Sequence, residues 1–177
     1  MRIVAGTARG RRIAAPPGLD TRPTTDRVRE AVFNSLESLG AVRDATMVDL
    51  FAGSGALGLE ALSRGAAHVT FVERERRARS VIDENLAALG FGDRAEVVAL
   101  DAFVHLDQAA PVDVALCDPP YGTDRWDELL AVCRADLVVC ESDRGVDPPG
   151  GWELVRQKRY GATVVTILSR TPAHPPE

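Results

Sequence analysis

The sequence predicts an α/β fold built on a doubly wound, mostly parallel sheet. Three observations predict it. From Thr46 onward, short apolar runs alternate with amphipathic stretches, the pattern of strands joined by crossover helices. The first run opens into a glycine-rich turn containing Gly53, Gly55 and Gly58. Four successive runs end near a carboxylate (Asp49, Glu73, Asp101 and Asp118), and sheets of this kind bind ligands beyond the carboxyl ends of their strands.

Taken in order, residues 1–15 read as two short strands around a turn bounded by Gly6 and Gly10, with Ile3, Val4 and Ile13 anchoring one face and arginines on the other. Pro16-Pro17-Gly18 breaks the chain. A polar loop, Thr21 to Asp26, follows, in which Thr24 or Thr25 is placed to cap a helix over 26–39. That helix puts Val28, Ala31, Val32, Ser35, Leu36 and Leu39 on one stripe and leaves Arg27 and Arg29 off it. Strands are predicted at 46–51, 68–73, 95–99, 112–117, 136–141, 152–158 and 162–169. Helices fit 55–64, 75–89 and 124–134, with a short turn at 102–107. The segment 145–151 is too short and too rich in Gly and Pro for a crossover helix, and Tyr160-Gly161 reads as a hairpin turn. A seven-stranded, mostly parallel sheet ending in an antiparallel hairpin results, with residues from Thr171 onward frayed. The expected division is a basic β-hairpin and helix over 1–44 and a catalytic domain over 45–177.

Composition narrows the function. A chain of 177 residues, 45% hydrophobic and 27% charged, has room for one sizeable core. No apolar run reaches the roughly 20 residues of a membrane span, and no signal-peptide core stands at the N-terminus, so a cytoplasmic protein is expected. Cys117, Cys133 and Cys140 form no Cys-x-x-Cys and read as reduced core thiols; His68, His105 and His174 share no ligand spacing, so no metal is expected. The net charge of −5 conceals a polarity. Residues 1–29 carry seven arginines against Asp20 and Asp26, which is +5 and leaves −10 on the remainder. A basic arm on an acidic body suits a polyanionic partner, and Arg2, Arg9, Arg11, Arg12, Arg22 and Arg27 are the candidate phosphate contacts.

The glycine turn, with Glu73 twenty residues beyond Gly53, satisfies the general pattern of an adenosine cofactor site: glycines admit the backbone and the acid reaches the ribose hydroxyls. Asp49 favours S-adenosyl-L-methionine over a dinucleotide, since a carboxylate there attracts the cationic methionine end and repels a pyrophosphate. Too little chain follows Asp118 for a dehydrogenase's substrate domain. Phe51, Ala52, Gly53, Ser54 and Gly55 form the candidate cofactor loop, and Asp101 with Ala102 and Phe103 the adenine end.

Cys117-Asp118-Pro119-Pro120-Tyr121 closes the fourth strand. Prolines fix the chain and hold neighbouring carbonyls as rigid acceptors beside a carboxylate and an aromatic ring. The group suits a flat heterocycle with an exocyclic NH2. Asp118 and a main-chain carbonyl beside Pro119 and Pro120 accept from the amine while Tyr121 stacks on the ring.

Residues 46–121 resemble class I adenosylmethionine-dependent amino-methyltransferases. Met1-Arg-Ile-Val-Ala-Gly with Arg9-Gly10-Arg11, the run Thr21-Arg22-Pro23-Thr24-Thr25-Asp26-Arg27-Val28-Arg29-Glu30-Ala31, and the run from Asp49 to Glu60 resemble the bacterial RsmD-type 16S rRNA guanine-N2 methyltransferases. The resemblance implies a Rossmann-like fold and transfer of a methyl group to a guanine N2 of 16S rRNA in a 30S subunit or its precursor. A monomer is expected, since no exposed apolar helix or strand pattern demands a partner. The alternatives are a DNA adenine-N6 methyltransferase, which needs a target-recognition domain for which this chain lacks room, and a non-catalytic rRNA-binding assembly factor. The compact segment after Asp136 departs from the family pattern, leaving the motif positions untouched.

Overall fold

A computed structural model describes residues 1–16, 23–120 and 122–172. Arg22, Tyr121 and the tail past 172 lie outside them. The chain runs α1 (Pro23–Ser38), β1 (Thr46–Leu50), α2 (Ala56–Ser63), β2 (His68–Val72), α3 (Arg76–Leu89), β3 (Ala95–Val98), α4 (Ala102–Gln108), β4 (Val112–Cys117), α5 (Trp126–Val132), β5 (Ala135–Ser142), β6 (Trp152–Tyr160) and β7 (Thr163–Arg170). The strands form one seven-stranded sheet in the order β3-β2-β1-β4-β5-β7-β6. β1 to β5 are mutually parallel, and β7 runs antiparallel to both β5 and β6. The expected sheet and its terminal hairpin are therefore present. Strand order reverses between β1 and β4, which opens a crevice at their carboxyl ends.

The central strands are apolar on both faces because helices cover both. On one face Met47, Phe71, Leu116, Val139 and Ile167 pack with Phe33 and Leu36 of α1, Leu59 and Leu62 of α2 and Ile82 of α3. On the other, Leu50, Ala115, Cys117, Val138 and Cys140 pack with Leu106 of α4 and Leu129 and Leu130 of α5. Trp126 and Trp152 belong to this second layer and are buried. All three cysteines are free and buried, as expected; burial pushes the Cys133 thiol up to about 11. The side-chain period of 2 assigns each strand residue to one face, and that parity decides where the strand-end acids point.

Several expectations need correction at the N-terminal end. The arm of residues 1–15 keeps the expected antiparallel pairing around the Gly6–Gly10 turn: Arg2 bridges Arg12, Ile3 N donates to the Arg11 carbonyl at 3.0 Å, Gly10 N to the Ile3 carbonyl at 2.8 Å and Ile13 N to the Met1 carbonyl at 3.1 Å. The segment is also tied to α2, which the sequence did not show. The Glu60 carboxylate accepts from Val4 N and Ala5 N, both at 2.9 Å, Ser63 Oγ accepts from Ala8 N, and the Ser63 carbonyl accepts from Thr7 N. A Cβ on Gly6 would collide with that carbonyl, which explains the glycine there. The first helix begins at Pro23, not Asp26, because proline's fixed φ suits the first helical position. Thr24 and Thr25 consequently fall within its first turn. Leu39 falls beyond the helix end and is 45% exposed. Arg29, expected off the apolar stripe, is 3% exposed. Its guanidinium donates to Asp26 at 2.9 Å, to the Arg2 carbonyl at 2.6 Å and to Glu60 at 3.4 Å. Glu60, fully buried, also accepts from Arg64 at 2.8 Å. One buried acid thus joins the N-terminal segment, α1 and α2. Elsewhere, the turn expected at 102–107 is a helix, and Thr171, expected to fray, donates to the Gly151 carbonyl.

Candidate active site

The crevice at the switch point is built from strand ends. Phe51 (φ 61°), Gly53 (φ 57°) and Gly55 (φ 77°) turn the chain from β1 into α2 through left-handed conformations. This region costs glycine little and other residues more. Gly58 lies against β2: a Cβ there would overlap the Phe71 ring and Val69. The close approach lets Gly58 N donate to the Asp49 carboxylate at 2.9 Å. Asp49 is 1% exposed, and its carboxyl is raised well above the usual carboxylate range. Burial dominates that shift, the Gly58 N–H opposes it, and the nearby Asp118 and Glu73 charges add to it.

Glu73 leaves β2 and curls back onto the glycine turn. One oxygen accepts from Gly53 N at 2.9 Å and the other from Glu75 N at 2.8 Å. A carboxylate has about four lone-pair sites, so two remain for a ligand. Ala52 and Ser54 of the same loop are buried. Asp101 caps α4 by accepting from Phe103 N at 2.9 Å, and its second oxygen stands 3.9 Å from Arg74. Ala102 is buried in the floor. Phe103 meets the edge of Phe51 at 6.4 Å, and the Arg125 guanidinium lies 3.8 Å from its ring centroid. Arg125 is itself held by Glu128 at 2.7 Å and 2.5 Å. Sequence alone does not point to Arg125, which no motif marks.

Asp118 follows β4 directly and opens to the crevice, yet the protein crowded around it pushes its carboxyl up to about 6. Pro119 is buried and Pro120 exposed; the Pro120 carbonyl accepts from Thr123 Oγ1 at 2.8 Å, which closes the loop on itself. The structure thus brings Asp49, Phe51, Ala52, Gly53, Ser54, Gly55, Glu73, Asp101, Ala102, Asp118, Pro119 and Pro120 to one end of the sheet. A further acid, Glu141, the penultimate residue of β5, lies near Asp118 and is absent from the sequence-based candidates. It continues the succession of strand-end acids by one strand, and that was the available signal.

The arm lies on the sheet face covered by α1, α2 and α3. Asn85 of α3 links it to the cofactor loop: its Oδ1 accepts from Ala14 N at 2.8 Å, and its Nδ2 donates to the Ala14 and Ser54 carbonyls. Arg9, Arg12 and Arg27 are exposed. Arg2 donates to the Gly10 carbonyl and Arg11 to the Ala88 carbonyl, so these two also brace the arm. No helix among the described residues is long and apolar enough to cross a membrane.

Comparison with known proteins agrees with this architecture. The family model described as "Conserved hypothetical protein 95" matches residues 1–169. The Escherichia coli K12 protein named ribosomal RNA small subunit methyltransferase D is 39% identical, over 96% of this chain and 90% of its own. Bacillus subtilis YlbH is 37% identical, over 96% and 99%. The solved structure of Escherichia coli yhhF superposes with a TM-score of 0.84 at 40% identity, covering 96% of this chain and 97% of its own. A Synechocystis magnesium protoporphyrin IX methyltransferase solved with bound adenosylmethionine shares the fold (TM-score 0.67, 14% identity, 84% of this chain and 80% of its own). The sheet order, the glycine turn at the switch point and the relatives agree: this chain has the class I adenosylmethionine-dependent methyltransferase fold and belongs to the conserved hypothetical protein 95 family, the RsmD type of small-subunit rRNA methyltransferases.

Proposed function

We propose that the protein methylates the exocyclic N2 amine of a guanine in 16S rRNA of the small ribosomal subunit. The observation that carries the proposal is Asp118. It stands at the switch point beside the glycine turn, with the arginine-bearing arm braced on the same crevice by Asn85. When bound, S-adenosyl-L-methionine supplies an electrophilic sulfonium methyl carbon and leaves as S-adenosyl-L-homocysteine. The donor set fits it. Glu73 offers free lone pairs at the ribose end, and Asp101 and Phe103 line the adenine end. Asp49 lies below the methionine end, where the cationic groups of the bound cofactor would favour its ionised form over the neutral one that burial favours. Phe51, Ala52, Gly53, Ser54 and Gly55 would cradle it, with Ala102 in the floor.

The N2 lone pair is conjugated with the purine ring and is a poor nucleophile. Asp118 and the Pro119 carbonyl each accept one N2–H, which favours a pyramidal nitrogen whose lone pair is free to attack in line. The rate gain is mostly positioning. One N2 proton is lost as the N–C bond forms, with the Asp118 carboxylate as its nearest acceptor. Tyr121 stacks on the base, which must be extruded from its helix or loop at a cost of about a few kcal/mol. Residues 1–44 are the RNA-binding extension and 45–177 the catalytic part. Arg9, Arg12, Arg22 and Arg27 take phosphates, and Arg2 and Arg11 do so from their braced positions.

Asp118→Ala tests this assignment. Methyl transfer to subunits lacking the modification should fall by at least about 10³-fold, while RNA binding in a filter assay stays within twofold or so. Retained transfer, or RNA binding lost together with activity, would remove Asp118 from the role given to it.

A further inference from the structure

Glu141 has no task in the chemistry described so far. Its place follows from register. β4 and β5 are parallel, with Leu116 opposite Val139 and Cys117 opposite Cys140, so continuing the ladder sets Glu141 beside Asp118. Parity gives the face. Leu116 and Val139 both pack toward α1 and α2, and Asp118 and Glu141 each lie two residues further along the same side. Asp49, two residues after Met47, shares that face. Glu141 therefore sits at the acceptor side of the crevice, beyond Asp118 from the cofactor turn.

The charged groups facing Glu141 are Asp118 from β4, Asp49 from β1 and Arg29 from α1. On β7 it opposes Val165, and Lys158, one strand further, sits over the Tyr160 ring. It is half-buried, and no hydrogen bond from a described residue holds its ionised form. Burial, reinforced by the two aspartates, raises its carboxyl to about 8. Of these neighbouring carboxyls Glu141 is raised further than Asp118, so it is the one that favours its neutral form around neutrality.

A carboxyl beside the amine-binding acid meets whatever the base carries next to its amine. Guanine carries N1–H and, beyond it, the O6 acceptor. A neutral carboxyl matches both: its carbonyl oxygen accepts from N1–H while its O–H donates to O6. Asp118 and the Pro119 carbonyl keep both N2 hydrogens. Adenine offers only an unprotonated N1 there, so the carboxyl's carbonyl oxygen would have to compete for the amine hydrogens. We propose that Glu141 determines specificity in the acceptor site, pairing with the N1–H/O6 edge of guanine while Asp118 holds the N2 amine. This rests on the guanine reading and names the residue that enforces it.

The test is the pH profile of kcat/KM for methyl transfer to 30S subunits lacking the modification. It compares wild type, Glu141→Gln and Glu141→Ala, with adenosylmethionine binding measured calorimetrically for each. Wild type should give a bell with an acid limb near 6 and an alkaline limb near 8. Glutamine retains a donor and an acceptor, so Glu141→Gln should stay within about tenfold and lose the alkaline limb. Glu141→Ala should lose about 10²-fold or more, and adenosylmethionine affinity should be unchanged in both. Wild-type kcat/KM in Glu141→Ala would overturn the proposal. So would equal losses in both variants with the alkaline limb intact, or loss of adenosylmethionine binding. A wild-type enzyme that forms no N2-methylguanosine would instead bring down the guanine reading itself.

Discussion

At the residue scale, the site is governed by carboxyls that burial keeps from ionising freely. Asp49, Asp118 and Glu141 share one face of adjacent strands, and each has its carboxyl raised mainly by desolvation. The folded protein therefore binds more protons than the unfolded chain. Stability is fullest below the ordinary carboxylate range and is lost as pH rises through about 6 for Asp118 and about 8 for Glu141. Glu141→Gln should raise the Tm of the ligand-free protein at pH 8.5 and leave it nearly unchanged at pH 4.5, read by differential scanning calorimetry. Glu60 is the opposite case, a buried acid with its partners in place. Glu60→Gln removes the buried charge that Arg29 and Arg64 share, leaving them only the half-exposed Asp26 and Glu37, and should cost about 3 kcal/mol, read as a lower urea midpoint. Sequence showed Asp49, Glu73, Asp101 and Asp118 because each ends an apolar run beside a recognisable turn. It did not show Glu141, since no turn motif follows it. Nor could it show Arg29 with Glu60, whose partnership spans 31 residues and turns two apparent surface charges into core.

At the scale of elements, the strand and helix pattern was legible almost throughout, since apolar period and glycine punctuation report local geometry directly. The exceptions have local causes. Pro23 starts α1 earlier than a threonine cap would, and the arm adds to its own antiparallel bonds a set of partners on α2 that no local pattern marks. The cofactor turn depends on close packing of α2 on β2, and Gly58 is its tightest point. Gly58→Ala should lower stability by about 1–3 kcal/mol and weaken adenosylmethionine binding, because the Gly58 N–H that fixes Asp49 must move. Thermal unfolding and calorimetric titration of the same sample check both halves. Unchanged cofactor affinity at reduced stability would separate the turn from the packing.

At the scale of the molecule, charge and fold divide the work. The arm carries +5 and the rest of the chain −10, and the arm is fastened to the body by Glu60, Ser63 and Asn85. On the proposed function, this polarity draws RNA to one face and keeps it from the acidic remainder. Replacing Arg9, Arg12 and Arg27 by alanine should flatten the dependence of log K on log salt by about 0.7 for each phosphate no longer neutralised, in filter binding to 16S rRNA. An unchanged slope would move the RNA to another surface. The most direct measurement is transfer of labelled methyl from adenosylmethionine to 30S subunits lacking the modification, naked 16S rRNA and duplex DNA, followed by nucleoside digestion. Label should appear in N2-methylguanosine from the ribosomal substrates, and none should appear in DNA. Label in N6-methyladenine from DNA would contradict guanine methylation.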